Sequence, residues 1–473
     1  MTKYCCAILA FLVIAIGAAS LAADPGEGMR TKYKKGATTM TDLTKPGKIA
    51  RPIITSIYTA DPSAVVGQDG RLYVYASHDM DPARGCDFMD RYHIFSTEDM
   101  VHFRDEGEIL RSDDVEWGRP EGGFMWAPDC AFKRGKYWFY YPHPTDSRWN
   151  DSWQFGVAVS DYPNKDFRDI GYVRDAAGRG IGGDSLIDPC IFIDDDGANY
   201  FYFGGGAMPR GCRLEDDMIT VRGRVRPMEG LEDFHEASWV FKRNGLYYMT
   251  YSDNLPGNNR LRYAVSRDPL GPWEYKGIYL APTGCDTSHG SVTEYKGHWY
   301  AFYHNCSISG QGNLRSVCVD ELFFEDDGSI RLVEQTDRPC ASVGPAPETD
   351  PRTKTYPAAK AVREGELAAA DGVVTGFEHR GAFLRFSKTD GYDGGRAALS
   401  IRYSNGTGKL TRVRLVVNSA DWSLINLVPT EGWEDFGEAC FTVPLKKGRT
   451  NTIDIAGFDG EAAVRSLTVE PLD

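Results

Sequence analysis

The sequence predicts an all-β protein: a five-bladed β-propeller followed by a β-sandwich. Three observations predict it. A short phrase, glycine then an aromatic residue three positions on, recurs five times at intervals of roughly 50–70 residues, the signature of a radial array. Each copy is led by a polar or aromatic residue at a nearly constant distance upstream. Alternating, aromatic-rich and β-branched runs are abundant, while amphipathic helical periodicity is scarce.

The 473-residue chain is long enough for two or more domains. Residues 1–23 read as a secretory signal. Lys3 supplies the charge, Cys5 to Ala19 the apolar run, and Ser20-Leu21-Ala22 a small-x-small cleavage site. The apolar run is too short for a comfortable membrane span, and no second candidate comes after it. The expected location is therefore secreted or periplasmic. Residues 24–50, with Lys32, Lys34, Lys35 and Lys45, read as a polar arm.

The propeller is expected over 51–338. Its repeated phrases are Gly70-Arg71-Leu72-Tyr73, Gly135-Lys136-Tyr137-Trp138, Gly197-Ala198-Asn199-Tyr200, Gly245-Leu246-Tyr247-Tyr248 and Gly297-His298-Trp299-Tyr300. Asp61, Trp126, Asp188 and Glu236 each lie twelve residues before the aromatic of their repeat, and His289 lies eleven before its own. If the first strand of every blade lines the axis, these five lead residues converge at one end of it. Three carboxylates, a tryptophan and a histidine would then share a pocket. Crowded like charges shift one another's pKa and separate acid from base roles. Outer hairpins such as Tyr92–Ser96 with Asp99–Phe103, and Leu261–Ser266 running to Gly271-Pro272-Trp273, complete the blades.

Residues 339–361 carry Pro339, Pro345, Pro347, Pro351 and Pro357 and read as a linker, which predicts that the C-terminal unit is separable. That unit, 362–473, has short alternating strands between turns, among them Ala398–Tyr403, Thr411–Val417 and Ala463–Val469, and reads as a sandwich. It lacks the lead-residue phrase and so is not a sixth blade.

Formal net charge is −14, with no basic stripe and no phosphate-cradling glycine loop, so nucleic acid is not an expected partner. Removing the signal leaves nine of the eleven cysteines, an odd number, and most read as small buried apolar residues. Cys306 and Cys318 flank a turn-like stretch, which would allow a hairpin disulfide. No CxxC or HExxH spacing suggests structural zinc.

Four ordered motifs then carry a resemblance. Tyr58-Thr59-Ala60-Asp61-Pro62-Ser63, Trp126-Ala127-Pro128-Asp129, Ile187-Asp188-Pro189 and His235-Glu236-Ala237 resemble glycoside hydrolase family 43, from about Arg51 to Glu334. The resemblance implies a five-bladed propeller acting by inversion on arabinose- and xylose-containing plant polysaccharides. It makes Asp61 the general base, Glu236 the general acid, and Asp188 the carboxylate that tunes and orients the acid. Arg315 would contact the terminal sugar and Trp126 would form part of its pocket wall. His289, in Ser288-His289-Gly290-Ser291-Val292, would sit beside one calcium ion held largely by water, or serve as a hydrogen-bonding histidine with no metal. No organic cofactor is expected.

The C-terminal unit is similar to a carbohydrate-binding module of the family 6 or 35 type, with Trp422 and Trp433 as candidate sugar platforms; the alternative is a sandwich that packs on the propeller and binds nothing. The activity expected is an exo-acting α-L-arabinofuranosidase on arabinoxylan or arabinan, with β-xylosidase or a bifunctional enzyme as the alternative. A galactofuranosidase or a non-catalytic sugar-binding propeller stays open.

Overall fold

Every propeller blade is a hairpin-connected antiparallel sheet, because each repeated glycine lets the chain turn back on itself. A computed structural model describes residues 51–473 apart from 83–84, 148–151, 182–185 and 255–258. The stretches read as signal peptide (1–23) and arm (24–50) lie outside the described residues. In three blades the first two strands join through two residues that both have positive φ, as at Asn244 (49°) and Gly245 (75°). That is the turn whose twist matches paired strands, and glycine adopts its left-handed backbone without a Cβ clash.

The first blade is β1 (Thr59–Val66), β2 (Leu72–His78), β3 (Arg91–Thr97) and β4 (Phe103–Arg111). The second is β5 (Asp129–Lys133), β6 (Lys136–Pro144), β7 (Trp153–Ser160) and β8 (Arg168–Tyr172). The third is β9 (Cys190–Ile193), β10 (Asn199–Phe203), β11 (Arg210–Leu214) and β12 (Val221–Pro227). The fourth is β13 (Glu236–Arg243), β14 (Leu246–Ser252), β15 (Leu261–Ser266) and β16 (Glu274–Leu280). The fifth has β17 (Gly290–Tyr295), β18 (His298–Asn305) and β19 (Ser316–Leu322). Its outer edge is covered by the start of the described chain: Pro52 bridges Cys318, and the Ile53 N–H donates to Val317 O at 2.8 Å. First and last blades are thus tied together, which closes the ring.

The inner strands are stitched to one another around the axis. The Asp129 carboxylate on β5 accepts from Ser63 Oγ on β1 and from the Ile191 N–H on β9, both at 2.6 Å. The Val240 N–H on β13 meets Cys190 Sγ on β9 at 3.3 Å, and Trp239 Nε1 donates to Val292 O on β17 at 2.9 Å. Thr293 Oγ1 on β17 donates to Ala64 O on β1 at 2.6 Å, completing the circle.

The sandwich packs two antiparallel sheets. Its strands are β20 (Lys354–Pro357), β21 (Val362–Glu364), β22 (Ala368–Ala370), β23 (Val373–Thr375), β24 (Phe383–Thr389), β25 (Gly395–Ser404), β26 (Thr411–Val417), β27 (Ala420–Leu427), β28 (Gly437–Leu445), β29 (Asn451–Asp459) and β30 (Ala463–Pro471). One sheet runs β22-β23-β30-β25-β28 with β20 also on β30; the other runs β21-β24-β29-β26-β27. Period-2 alternation buries Leu399 and Ile401 from one sheet against Val413, Leu415 and Ile455 from the other.

The proline-rich stretch is not a free tether. Its Lys354–Pro357 is the sandwich strand β20, and its Val343 N–H donates to Asp99 O in the first blade at 3.1 Å. One continuous apolar cluster runs from Ile57, Val74 and Phe95 of the propeller to Ile425 and Phe441 of the sandwich. Thr442 Oγ1 donates to Asp105 O at 2.6 Å, and Arg412 pairs with Asp81 at 2.7 Å. The predicted separability therefore needs revision, because cutting the chain strips water-excluding cover from the first blade. Truncation after Thr353 is expected to lower Tm by several degrees or abolish soluble expression. Matched melts of the full and truncated chains measure this; coincident melts would count against a shared core.

The hairpin disulfide between Cys306 and Cys318 is not formed. Cys318 sits on β19 opposite Tyr303, its Sγ directed to Ser316 O at 3.5 Å, and the described cysteines form no disulfide among themselves.

Candidate active site

Three lead residues arrive in left-handed or bulged backbone, which aims their side chains inward rather than along the sheet. Asp61 has φ +55° and sits where the β1–β2 register slips between Ala60 and Ser63. Asp188, just before β9, has φ +54°. Glu236 opens β13 beside a bulge whose next residue, Ala237, has φ +66°. Such conformations are costly for non-glycine residues and persist where surroundings over-determine them.

Each is over-determined here. The Ala237 N–H donates to Asp188 Oδ2 at 2.7 Å, so Asp188 grips the bulge that orients Glu236. Asn254 Nδ2 donates to Glu236 Oε1, and the Ser288 N–H donates to Asn254 Oδ1 at 3.2 Å. Asp61 accepts from Ser77 Oγ and from Arg315 Nη1, the latter at 3.0 Å. The Asp61 N–H donates to His304 Nδ1 at 3.1 Å while His304 Nε2 meets Thr287 O at 2.9 Å, which sets the tautomer with its proton on Nε2.

Arg315 is itself clamped. Its Nε and Nη2 donate to the two Asp79 oxygens at 2.9 and 2.8 Å, a bidentate fork, and its Nη1 also reaches Thr287 Oγ1 at 3.0 Å. Arg315 is 7 % exposed, so its field on Asp61 is little screened.

The electrostatics separate the carboxyls. Burial alone would raise the Asp61 pKa, but Arg315, His304, His289 and the Ser77 hydrogen bond override it and hold Asp61 down at about 2. Glu236 moves the other way: burial and the Asp61 charge raise it to about 7 against the Asn254 hydrogen bond and Arg315. Asp188 is raised as well, by burial and by the charges of Glu236 and Asp61. The site thus holds one carboxylate ionised and keeps a proton on the Glu236–Asp188 pair. Glu236 is the most open of the three, with 15 % of its side chain exposed against 8 % for Asp61 and 7 % for Asp188.

His289 is buried, and its Nδ1 lies 3.8 Å from Asp188 Oδ2, beyond a hydrogen bond. Burial lowers its pKa to about 4 despite Asp61, so the ring is neutral. Among the described residues no group of three or more His, Cys, Asp or Glu side chains is arranged to hold a metal.

Trp126 stands in the loop before β5. Its Nε1 donates to Cys86 O at 2.9 Å and its ring lies 4.7 Å from that of Trp153, so it belongs to an aromatic wall. The two sandwich tryptophans lie elsewhere. Trp422 lines a crevice between β27 and the first blade, with Tyr58, His78, Met80 and Asp81. Trp433 is 44 % exposed and covers Gly406 within the sandwich.

Sequence reasoning missed Asp79, Asn254, Thr287, His304 and Trp153. A signal existed for two of them. Asp79 and Asn254 each come six residues after the repeat's aromatic, Tyr73 and Tyr248, where the second strand returns to the axis end from which the lead residue started. Asp129 stands in its motif without an assigned role; its pKa is raised to about 7, chiefly by burial, and it staples three inner strands.

Comparison with known proteins adds to this geometry. Residues 49–330 match the model of Glycosyl hydrolases family 43. The chain is 35% identical over 336 residues to xylosidase/arabinosidase 43A of Humicola insolens, covering 59% of this chain and 98% of that one. It is 28% identical over 432 residues to an arabinoxylan arabinofuranohydrolase of Paenibacillus polymyxa, covering 78% of this chain and 65% of the relative. Among solved structures it resembles a family 43 enzyme from Xanthomonas citri complexed with xylose, with TM-score 0.55 and 33% identity over 62% of this chain and 95% of that one.

Proposed function

The chain belongs to glycoside hydrolase family 43, and from that premise we propose that it is an exo-acting, inverting α-L-arabinofuranosidase acting on arabinose-bearing plant polysaccharide. The observation that carries the reading is the opposite tuning of two carboxyls in one buried site, Asp61 at about 2 and Glu236 at about 7. Protonated Glu236 donates its proton to the glycosidic oxygen as the bond to the anomeric carbon breaks. Asp61 takes a proton from a water attacking that carbon from the opposite face. The new carbon–oxygen bond has inverted configuration, and solvent then restores both protonation states. Asp188 works through Glu236, by holding the Ala237 bulge and by disfavouring early proton loss.

The match to an arabinoxylan arabinofuranohydrolase extends over 78% of this chain, beyond the propeller alone, which favours arabinofuranose as the sugar released. β-Xylosidase is the second reading, favoured by the dual name of the Humicola insolens relative and the xylose bound to the Xanthomonas citri enzyme. Nitrophenyl glycosides of arabinofuranose, xylopyranose and galactofuranose, and then arabinoxylan, decide between them. NMR of the first product anomer tests inversion. Turnover of none of these substrates, or a retained anomer, would overturn the proposal.

Arg315 gives a pH prediction. Because it opposes burial in holding Asp61 low, Arg315→Met is expected to move the acid limb of the kcat/KM profile upward by at least about one pH unit. An acid limb that stays in place would remove Arg315 from that role.

A calcium ion near His289 stays part of the proposal only as a hydrated ion, since calcium takes oxygen ligands and the described residues build no acidic cage there. Bound, it would add positive charge beside the carboxylates. Chelation is expected to lower Tm or activity, and His289→Ala to abolish that sensitivity. A chain indifferent to both treatments would exclude the ion.

A further inference from the structure

The segment 284–289 is a common support for both halves of the site. Thr287 offers its Oγ1 to Arg315 and its carbonyl to His304, which together frame Asp61. Ser288 donates to Asn254, which holds Glu236. At its far end the same segment is held by hydrogen bonds: Asn259 Nδ2 to the carbonyls of Cys285 and Asp286 at 2.7 and 2.8 Å, and the Asp286 N–H to Gly312 O at 3.2 Å.

Two cysteines sit at that end, one on each side of the gap between the segment and the close of β18. Cys306 Sγ lies 3.2 Å from Gly284 O, the residue before Cys285. Cys285 Sγ lies 3.9 Å from His304 O, two residues before Cys306. The contacts cross, so the two side chains lie alongside each other. Cys285 is buried while Cys306 is half-exposed, so one thiol is reachable from solvent and the other is sheltered behind it.

We infer that Cys285 and Cys306 are a disulfide-forming pair whose oxidation locks the segment carrying Thr287 and Ser288 onto the end of β18. The side-chain hydrogen bond from Cys285 lowers the Cys306 thiol to about 7, so near neutral pH the exposed partner is substantially thiolate. With a small disulfide such as oxidised glutathione as oxidant, the Cys306 thiolate attacks one of its sulfurs, forms a mixed disulfide and releases one glutathione thiolate. The Cys285 thiol then gives up its proton, and its sulfur attacks Cys306 Sγ, expelling the second thiolate. The protein loses two hydrogens and two electrons, and the oxidant becomes two thiols. Closing this loop restricts the unfolded chain and so raises stability.

Peptide mapping of the full chain under non-reducing conditions, after exposure to oxidised glutathione, tests the pair. The expected result is a peptide linking Cys285 to Cys306, with the other described cysteines alkylated after denaturation. Reduction with dithiothreitol should lower Tm by several degrees in the native sequence and leave Tm unchanged in Cys306→Ser. Alkylation of both Cys285 and Cys306 in the oxidised sample, or linkage of Cys306 to a different cysteine, would overturn the pairing. A 285–306 linkage whose reduction leaves Tm in place would overturn the lock. The mapping uses the unmodified chain and so does not depend on any variant folding.

Discussion

Replacing Glu236 by Ala is expected to cut turnover of arabinoxylan by about 10²–10⁴-fold, and to cut turnover of a nitrophenyl arabinofuranoside much less. The difference comes from the role. A polymer alkoxide leaves only if it is protonated as the bond breaks, whereas nitrophenolate leaves readily as an anion. The pH profile gives a second, independent reading. Glu236 acts while protonated, and burial with the Asp61 charge places its pKa at about 7, so native activity should fall as pH rises through that value. In Glu236→Ala the alkaline limb should vanish. Persistence of a limb near 7 would assign it elsewhere, with Asp129, also raised to about 7, as the other carboxyl to examine. Equal losses on polymer and nitrophenyl substrate would remove Glu236 from the acid role.

Asp61→Asn should behave differently. Water must be activated whichever group leaves, so both substrates should lose about 10²–10⁴-fold, with their ratio nearly unchanged. The amide keeps the shape and can still meet Ser77. Arg315 also stays paired, because the Asp79 fork is independent of Asp61, so the fold should survive. Since Asp61 is held at about 2, the native acid limb should lie far below neutral, leaving a broad plateau under the alkaline limb near 7. Substantial polymer turnover by Asp61→Asn, with a native-like melt, would sink the base assignment.

The five-fold phrase was legible because its causes are local. A glycine at positive φ, as in Gly245, makes a tight hairpin in each repeat, and the aromatic three residues later is buried in four copies and half-buried, as Trp138, in the fifth. Constant spacing from lead residue to aromatic then places Asp61, Asp188 and Glu236 at or near the starts of the inner strands of the first, third and fourth blades, so their meeting could be read from numbering. The sandwich was legible for a similar reason, since period-2 alternation in β25 and β26 reports one buried face.

Other features could not be read this way. Arg315 contacts Asp61 across 254 positions of sequence, and no local pattern states that Asp79 will hold it there. The proline-rich stretch reads as a tether because composition reports stiffness, whereas β20 and Val343 are held by partners on distant strands. Proximity along the chain suggests Cys318 as the partner of Cys306, but β18–β19 register sets Cys318 opposite Tyr303 and leaves Cys306 beside Cys285.

By itself the sequence determined the array, its five blades, the sandwich after it and the lead residue of each repeat. Turn geometry and alternation are short-range, and they repeat. Only the tertiary structure decided which carboxyl is ionised, what grips each one, and how the sandwich covers the first blade. Those outcomes depend on burial and on charges from remote segments. The free energy of a buried carboxyl is set by the few ångströms of space around it rather than by its neighbours in the chain.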